Sequence, residues 1–189
     1  APAETQKGKI YAVLVGIDEY GEKFGNTKFK GSVNDVLSWQ KLLIEYFENV
    51  DIISLTDSKA NKKKIINELE NIISKAKTED TIIFTFSGHG YNISIPHALA
   101  AYDTETNQSQ SYLLETEIKG IINRTNSTNP FIVIILDTHG GSSGWIDTNN
   151  QKQVLLSSSA NGEISMEVDE NGLFTSTLLN TLRIYPPQS

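Results

Sequence analysis

Two β-rich apolar runs, each breaking into a small-residue turn around a histidine, constrain this chain more than any other feature. Residues 81–86 end in Ser87-Gly88-His89-Gly90, and residues 131–136 end in Asp137-Thr138-His139-Gly140-Gly141. An unbroken apolar run bounded by turn residues suits a strand buried on both faces, as in parallel sheets covered by helices. The two runs are expected to be neighbours in one sheet. Their carboxyl ends would then bring both loops together, where open α/β sheets build their sites.

The remaining segments fit that plan. Residues 9–17 (KIYAVLVGI) are nearly continuously apolar and read as a first buried strand. A helix is expected from Ser32 to about Tyr46. Ser32 and Asn34-Asp35 supply its capping chemistry, and Val36, Leu37, Gln40, Leu43, Ile44 and Phe47 follow with mostly helical spacing. Residues 51–55 read as a short strand. A second helix is expected from about Asn61, with Ile65, Leu69, Ile72, Ile73 and Ala76 inward and Lys62, Lys63 and Lys64 on a solvated side. Residues 91–102 read as a hairpin or irregular loop, residues 114–123 as a short helix with Glu115 and Glu117 near its positive end, and residues 153–158 as a fifth strand. A last helix is expected over residues 173–182, where Phe174, Leu178 and Leu182 recur at four-residue spacing. Strands alternating with helices predict a mostly parallel α/β sheet covered on both sides.

With 189 residues and neither a repeat nor a dividing linker, the chain is expected to be one domain. Its 38% hydrophobic and 21% charged residues are those of a globular protein. A net charge of −7 and a pI near 5.0 argue against a nucleic-acid surface and against anionic membranes. No apolar run approaches the roughly twenty residues that span a bilayer, so a soluble protein is expected; its compartment is left open by the sequence, with the cytoplasm slightly favoured. The chain has no cysteine. It therefore has no disulfide, and no thiol to act as a nucleophile.

A Gly-His-Gly turn at a strand end suits a general base that must reach a substrate. Glycine removes side-chain bulk so that a peptide can approach, and the backbone amide after the histidine, that of Gly90, can face a developing oxyanion. Histidine is the side chain that titrates near working pH.

Across nearly its whole length the sequence resembles the caspase-like peptidases (peptidase family C14), and among them the metacaspases and their bacterial homologues. The resemblance is carried by YAVLVGIDEY, GSVNDV, FTFSGHG, LAAYD, LLETEI, IVIILDTHGG, VLLSSSANGEISME and GLFTSTLL. It implies a caspase-like three-layer α/β/α sandwich. Residues 9–150 would correspond to a large-subunit portion and residues 151–189 to an abbreviated small-subunit portion. It also implies a cysteine endopeptidase in which His89 activates the thiol and protonates the leaving amine. Asp137, Asp35, Ser32 and Ser87 would surround the pocket for the residue before the scissile bond. Two carboxylates on one slot favour arginine or lysine, hence a peptide or protein substrate with basic residues. Asp35 reads equally as a helix cap, and Ser87 as a plain turn residue.

The departure is at the nucleophile. The family places Cys two positions after the pocket Asp, followed by His. Without a gap, His139 occupies the cysteine's place. With one residue missing between Thr138 and His139, His-Gly-Gly fits the family pattern. The domain is therefore expected to be inactive as a peptidase, the alternative being a pseudopeptidase that binds peptides or a partner and regulates an active relative. Thr138, Ser142 and Ser143 are hydroxyls nearby, but alcohols need stronger activation than thiols. His89, His139 and Asp137 would make a zinc ligand set by count alone. No cofactor is expected; calcium occurs in the family, but no acidic loop here is specific to it. His97 reads as an ordinary loop or strand histidine, and Asp103 as a turn residue.

Overall fold

A computed structural model describes residues 8–25, 28–91, 97–138, 145–159, 167–168 and 171–185 of the chain. In chain order the elements are β1 (Ile10–Gly16), α1 (Ser32–Tyr46), β2 (Val50–Thr56), α2 (Lys62–Lys75) and β3 (Thr81–Gly88). Then come β4 (Gly90–Tyr91), β5 (Ala98–Leu99), β6 (Leu113–Leu114), α3 (Glu115–Ile122), β7 (Phe131–Thr138) and β8 (Gln153–Ser157). The pair β9 (Glu167–Val168) and β10 (Asn171–Gly172) leads into α4 (Leu173–Ile184).

The central sheet has five parallel strands in the order β2-β1-β3-β7-β8. The chain leaves β1 toward one neighbour and later returns to its other side as β3. The crevice beyond the carboxyl ends of these two strands is where such a sheet binds ligands. Every residue of β1 is buried, so the strand feeds two cores at once. Tyr11, Val13 and Val15 join Phe84, Phe86, Ile134 and Leu136 against α2 and α3. Ile10, Ala12 and Leu14 join Ile83 and Ile135 against α1 and α4. Helices therefore cover both faces, as the alternating pattern predicted.

The helices follow the expected periodicity with two corrections. On α1 the buried apolar residues are Val36, Trp39, Leu42 and Leu43, whereas Leu37 and Ile44 are 56% and 60% exposed. Residues 36, 39 and 43 share one helical face; 37 and 44 lie a step of about 100° away. On α2, Lys62 is not a solvated lysine. Its ammonium donates to the carbonyls of Gln110 (2.9 Å) and Tyr112 (2.7 Å) and pairs with Glu117 at 2.8 Å. The stretch read as a hairpin contributes β4 and β5, which with β6 make a three-stranded antiparallel sheet. Trp145, ahead of β8, is buried in the α2/α3 core.

Candidate functional site

The parallel register of β3 and β7 sets Ser87 opposite Asp137 and Gly88 opposite Thr138. Adjacent strands lie about 4.8 Å apart, so the turn carrying His89 and the chain after Asp137 leave the same edge of the sheet. Both Ser87 and Asp137 belong to the α1/α4 face. There they meet Asp35 from the first turns of α1.

Asp35 and Asp137 are 1% and 5% exposed. Ser87 Oγ donates to Asp35 Oδ2 at 2.6 Å. Asn171 Nδ2 (2.8 Å) and the Gly172 N–H (3.1 Å) donate to Asp35 Oδ1. Asp137 Oδ2 accepts from Thr175 through both its N–H (3.0 Å) and its hydroxyl (2.8 Å). Burial pushes the Asp35 carboxyl up to about 7. The Asp137 charge adds to this rise, while the Ser87, Asn171 and Gly172 hydrogen bonds oppose it. The slot between the acids is walled by Val15, Val36, Trp39, Phe86 and Ile135, and it has no room for a water molecule.

Asp35 therefore does not cap its own helix. The α1 N-terminus is capped in trans by Asp18, whose carboxylate accepts the N–H groups of Ser32 (2.8 Å) and Val33 (3.4 Å). Asp18 lies in the β1–α1 loop, and Asp57 fixes that loop by accepting the Asp18 and Glu19 N–H groups at 2.9 and 3.0 Å. Asp57 has φ of 44°, a left-handed conformation that aspartate tolerates. The same loop encloses His89. The Tyr20 hydroxyl accepts the His89 N–H at 2.7 Å, and the Ala100 N–H donates to the His89 carbonyl at 2.9 Å. The imidazole sits among Phe29, Tyr20 and Phe24, with ring centroids 4.3, 5.2 and 5.2 Å away. Burial raises the Tyr20 pKa, so its hydroxyl stays protonated. Gly88 is needed beneath this arrangement: its φ is 153°, and a Cβ there would stand 2.6 Å from Tyr20 Oη.

Of the residues singled out in the sequence, Asp35, Asp137 and Ser87 are brought into one cluster. His89 and Gly90 follow directly, Gly90 pairing with Leu99 across β4 and β5. Ser32 is buried at the start of α1, outside the lining of the slot. His139, Ser142 and Ser143 lie outside the described residues, and Thr138 ends β7 with its N–H donated to Ser158 Oγ at 3.0 Å. Asn171, Thr175 and Tyr20 were missed. Asn171-Gly172 before an apolar-periodic run is a helix-start signal, but nothing local announces that its donors serve acids on α1 and β7. His97 precedes β5, and its backbone carbonyl accepts the Glu115 N–H at 2.9 Å. Asp103 accepts the Lys62 N–H at 2.8 Å, adding to the cap of α2 that the Asn61 side chain makes with the Lys64 N–H at 2.9 Å. Among the described residues no three His, Asp or Glu side chains are grouped to hold a metal ion. Among the same residues no helix is long and apolar enough to cross a membrane.

A five-stranded parallel sheet with a histidine turn after β3 and an acid at the end of the neighbouring β7 is the arrangement of a caspase-like peptidase domain. The profile of the metacaspase, peptidase C14 domain matches residues 11–144, and the chain belongs to that family. It is 37% identical to Metacaspase-8 of Arabidopsis thaliana over 89 residues, 43% of this chain and 23% of the relative. It is 30% identical to Metacaspase-1B of Neurospora crassa over 91 residues, 44% of this chain and 21% of the relative. The chain thus matches less than a quarter of these relatives' lengths. The crystal structure of protein GSU0716 from Geobacter sulfurreducens shares the fold, with a TM-score of 0.75 and 14% identity, over 95% of this chain and 84% of that one.

Proposed function

We propose that this domain recognises peptide segments through an arginine or lysine side chain, as a metacaspase-type endopeptidase directed at basic residues would, and that it binds them without hydrolysis. One observation carries this: Asp35 and Asp137 are buried together beside Ser87, at the strand ends next to the His89 turn. Buried carboxylates are costly unless matched. A guanidinium or ammonium offers both charge and donors, and hydrogen bonds to charged groups are worth about 1.5–3 kcal/mol each. A neutral side chain recovers none of the charge term.

In an active relative His89 would take the proton of a thiol and pass it to the leaving amine. Here the chain has no cysteine, so that covalent step has no nucleophile of the usual kind. An intact histidine turn and acid pair without a thiol favour a peptide- or partner-binding regulatory module. Such binding requires no cofactor. The test uses fluorogenic peptides ending in Arg, Lys or norleucine. The expected result is no fluorophore release and tighter binding of the Arg and Lys peptides. Release that disappears in His89→Ala would overturn the lack of turnover, and equal binding of norleucine would overturn the basic preference.

A further inference from the structure

Four donors from one short segment close the acidic slot. Asn171 Nδ2 and the Gly172 N–H serve Asp35 Oδ1, while the Thr175 N–H and hydroxyl serve Asp137 Oδ2. The backbone here is wedged. A Cβ on Gly172 would fall onto the Asp137 carboxylate and lie 3.0 Å from Asp35 Oδ2. Gly172 has φ of −60°, so glycine is required for space and not for conformation. On its other side the segment presses on Gly31, where a Cβ would meet the Asn171 carbonyl carbon at 2.8 Å. The Gly172 and Thr175 amides also belong to the positively polarised start of α4.

We infer that residues 171–175 are an internal occupant of the slot, an autoinhibitory contact that a basic side chain must displace from Asp35 before it can enter. This presupposes the basic-residue recognition proposed above. A guanidinium brings five N–H donors and an ammonium three, to the same two carboxylates that the segment now satisfies with four. Ligand and segment therefore compete for acceptors, since the slot has no spare volume to hold both. Asn171 is the first donor to yield. Its amide leaves Asp35 by side-chain rotation, whereas the Thr175 N–H leaves Asp137 only with the first turn of α4.

The probe is the peptide acetyl-Gly-Gly-Arg-amide, titrated calorimetrically into the wild type and Asn171→Ala. Amide hydrogen exchange at Gly172 and Thr175 is followed in the wild type with and without saturating probe. The variant no longer has to break the Asn171–Asp35 hydrogen bond, so it is expected to bind roughly tenfold tighter. In the wild type the probe is expected to lower protection at Gly172 while β1 and β3 amides stay protected. Equal affinity of the two proteins, with Gly172 protection unchanged, overturns the internal occupant and leaves basic recognition standing. Failure of the probe to bind either protein removes basic recognition and the occupant with it. If Asn171→Ala does not fold cooperatively, the wild-type exchange experiment decides alone, and unchanged protection at saturation overturns the inference.

Discussion

Asp35→Asn separates the charge of the buried acid from its shape. Asparagine keeps an oxygen for the Asn171 and Gly172 donors and offers Ser87 an N–H once the serine hydroxyl turns. It has no proton to lose. In the wild type, burial lifts the Asp35 carboxyl from 3.8 to about 7. The native state therefore holds a proton that the unfolded chain has already released, and stability falls as pH rises between those two values. At 1.36 kcal/mol per pKa unit the whole shift sets a ceiling of about 4 kcal/mol. The part lying between pH 5 and about 7 is about 2–3 kcal/mol.

Urea unfolding of both proteins at pH 5, 6, 7 and 8 reads this directly, because every other titrating group is common to the pair. The advantage of Asp35→Asn over the wild type is expected to grow by about 2–3 kcal/mol from pH 5 to pH 8 and then level off, with the denaturant slope unchanged. In melting temperature that is several degrees for a chain of this size. A difference that stays flat across the range refutes the reasoning. A difference that shrinks would mean that the native protein holds Asp35 ionised, its hydrogen-bond donors outweighing burial.

If a basic side chain binds the ionised Asp35, affinity for an arginyl peptide rises with pH up to about 7, by as much as tenfold per unit, with proton uptake by the buffer measurable in calorimetry; a flat profile counts against it. Gly172→Ala places a methyl on the Asp137 carboxylate and is expected to cost about 1–3 kcal/mol, with loss of exchange protection at Thr175; unaltered stability would show the wedge to be loose. Tyr20→Phe removes the acceptor of the His89 N–H and is expected to cost about 1–3 kcal/mol while exposing that amide to exchange, and full protection at His89 would refute the role. Inserting cysteine between Thr138 and His139 is expected to give cleavage after arginine that Asp137→Asn and His89→Ala each abolish, whereas an intact mass of the unaltered protein above its 20.9 kDa by one cysteine residue would show the thiol to be present already.

The sheet was legible because its strands are apolar on both faces and end in glycine or aspartate turns, so β1, β3 and β7 were each placed to within two residues or so. The acid pair was legible through the resemblance; the β3/β7 pairing sets Ser87 opposite Asp137, and Asp35 joins them because α1 packs on that face. The rest was tertiary. Leu37 and Ile44 look like core residues in a helical repeat, yet they fall on the α1 flank that no element covers among the described residues. Lys62 looks like a solvated lysine, but two carbonyls and Glu117 from more than forty positions away claim its ammonium. The cap of α1 was sought within Ser32, Asn34 and Asp35, whereas it comes from Asp18 across a loop. Local propensity cannot register a partner that arrives from elsewhere in the chain.

That borrowing recurs. The α1 amides rest on Asp18, the first α2 amide on Asp103, and the start of α4 on Asp35 and Asp137. The acids of the slot thus hold a helix as well as lining a cleft, and an alanine at either position would lose both uses at once. Asparagine divides them. As a cap it serves as well as aspartate, and at position 35 it would spare the fold a buried charge at neutral pH. A purely structural role is therefore better filled by the amide. The basic-residue recognition proposed above gives the carboxylate a use that the amide would lack, because perturbed groups often gather at functional sites. Asp35→Asn is accordingly expected to move stability and affinity in opposite directions at pH 8, strengthening the fold and abolishing the preference for arginine. A variant that gains stability and still prefers arginine would reduce Asp35 to a cap.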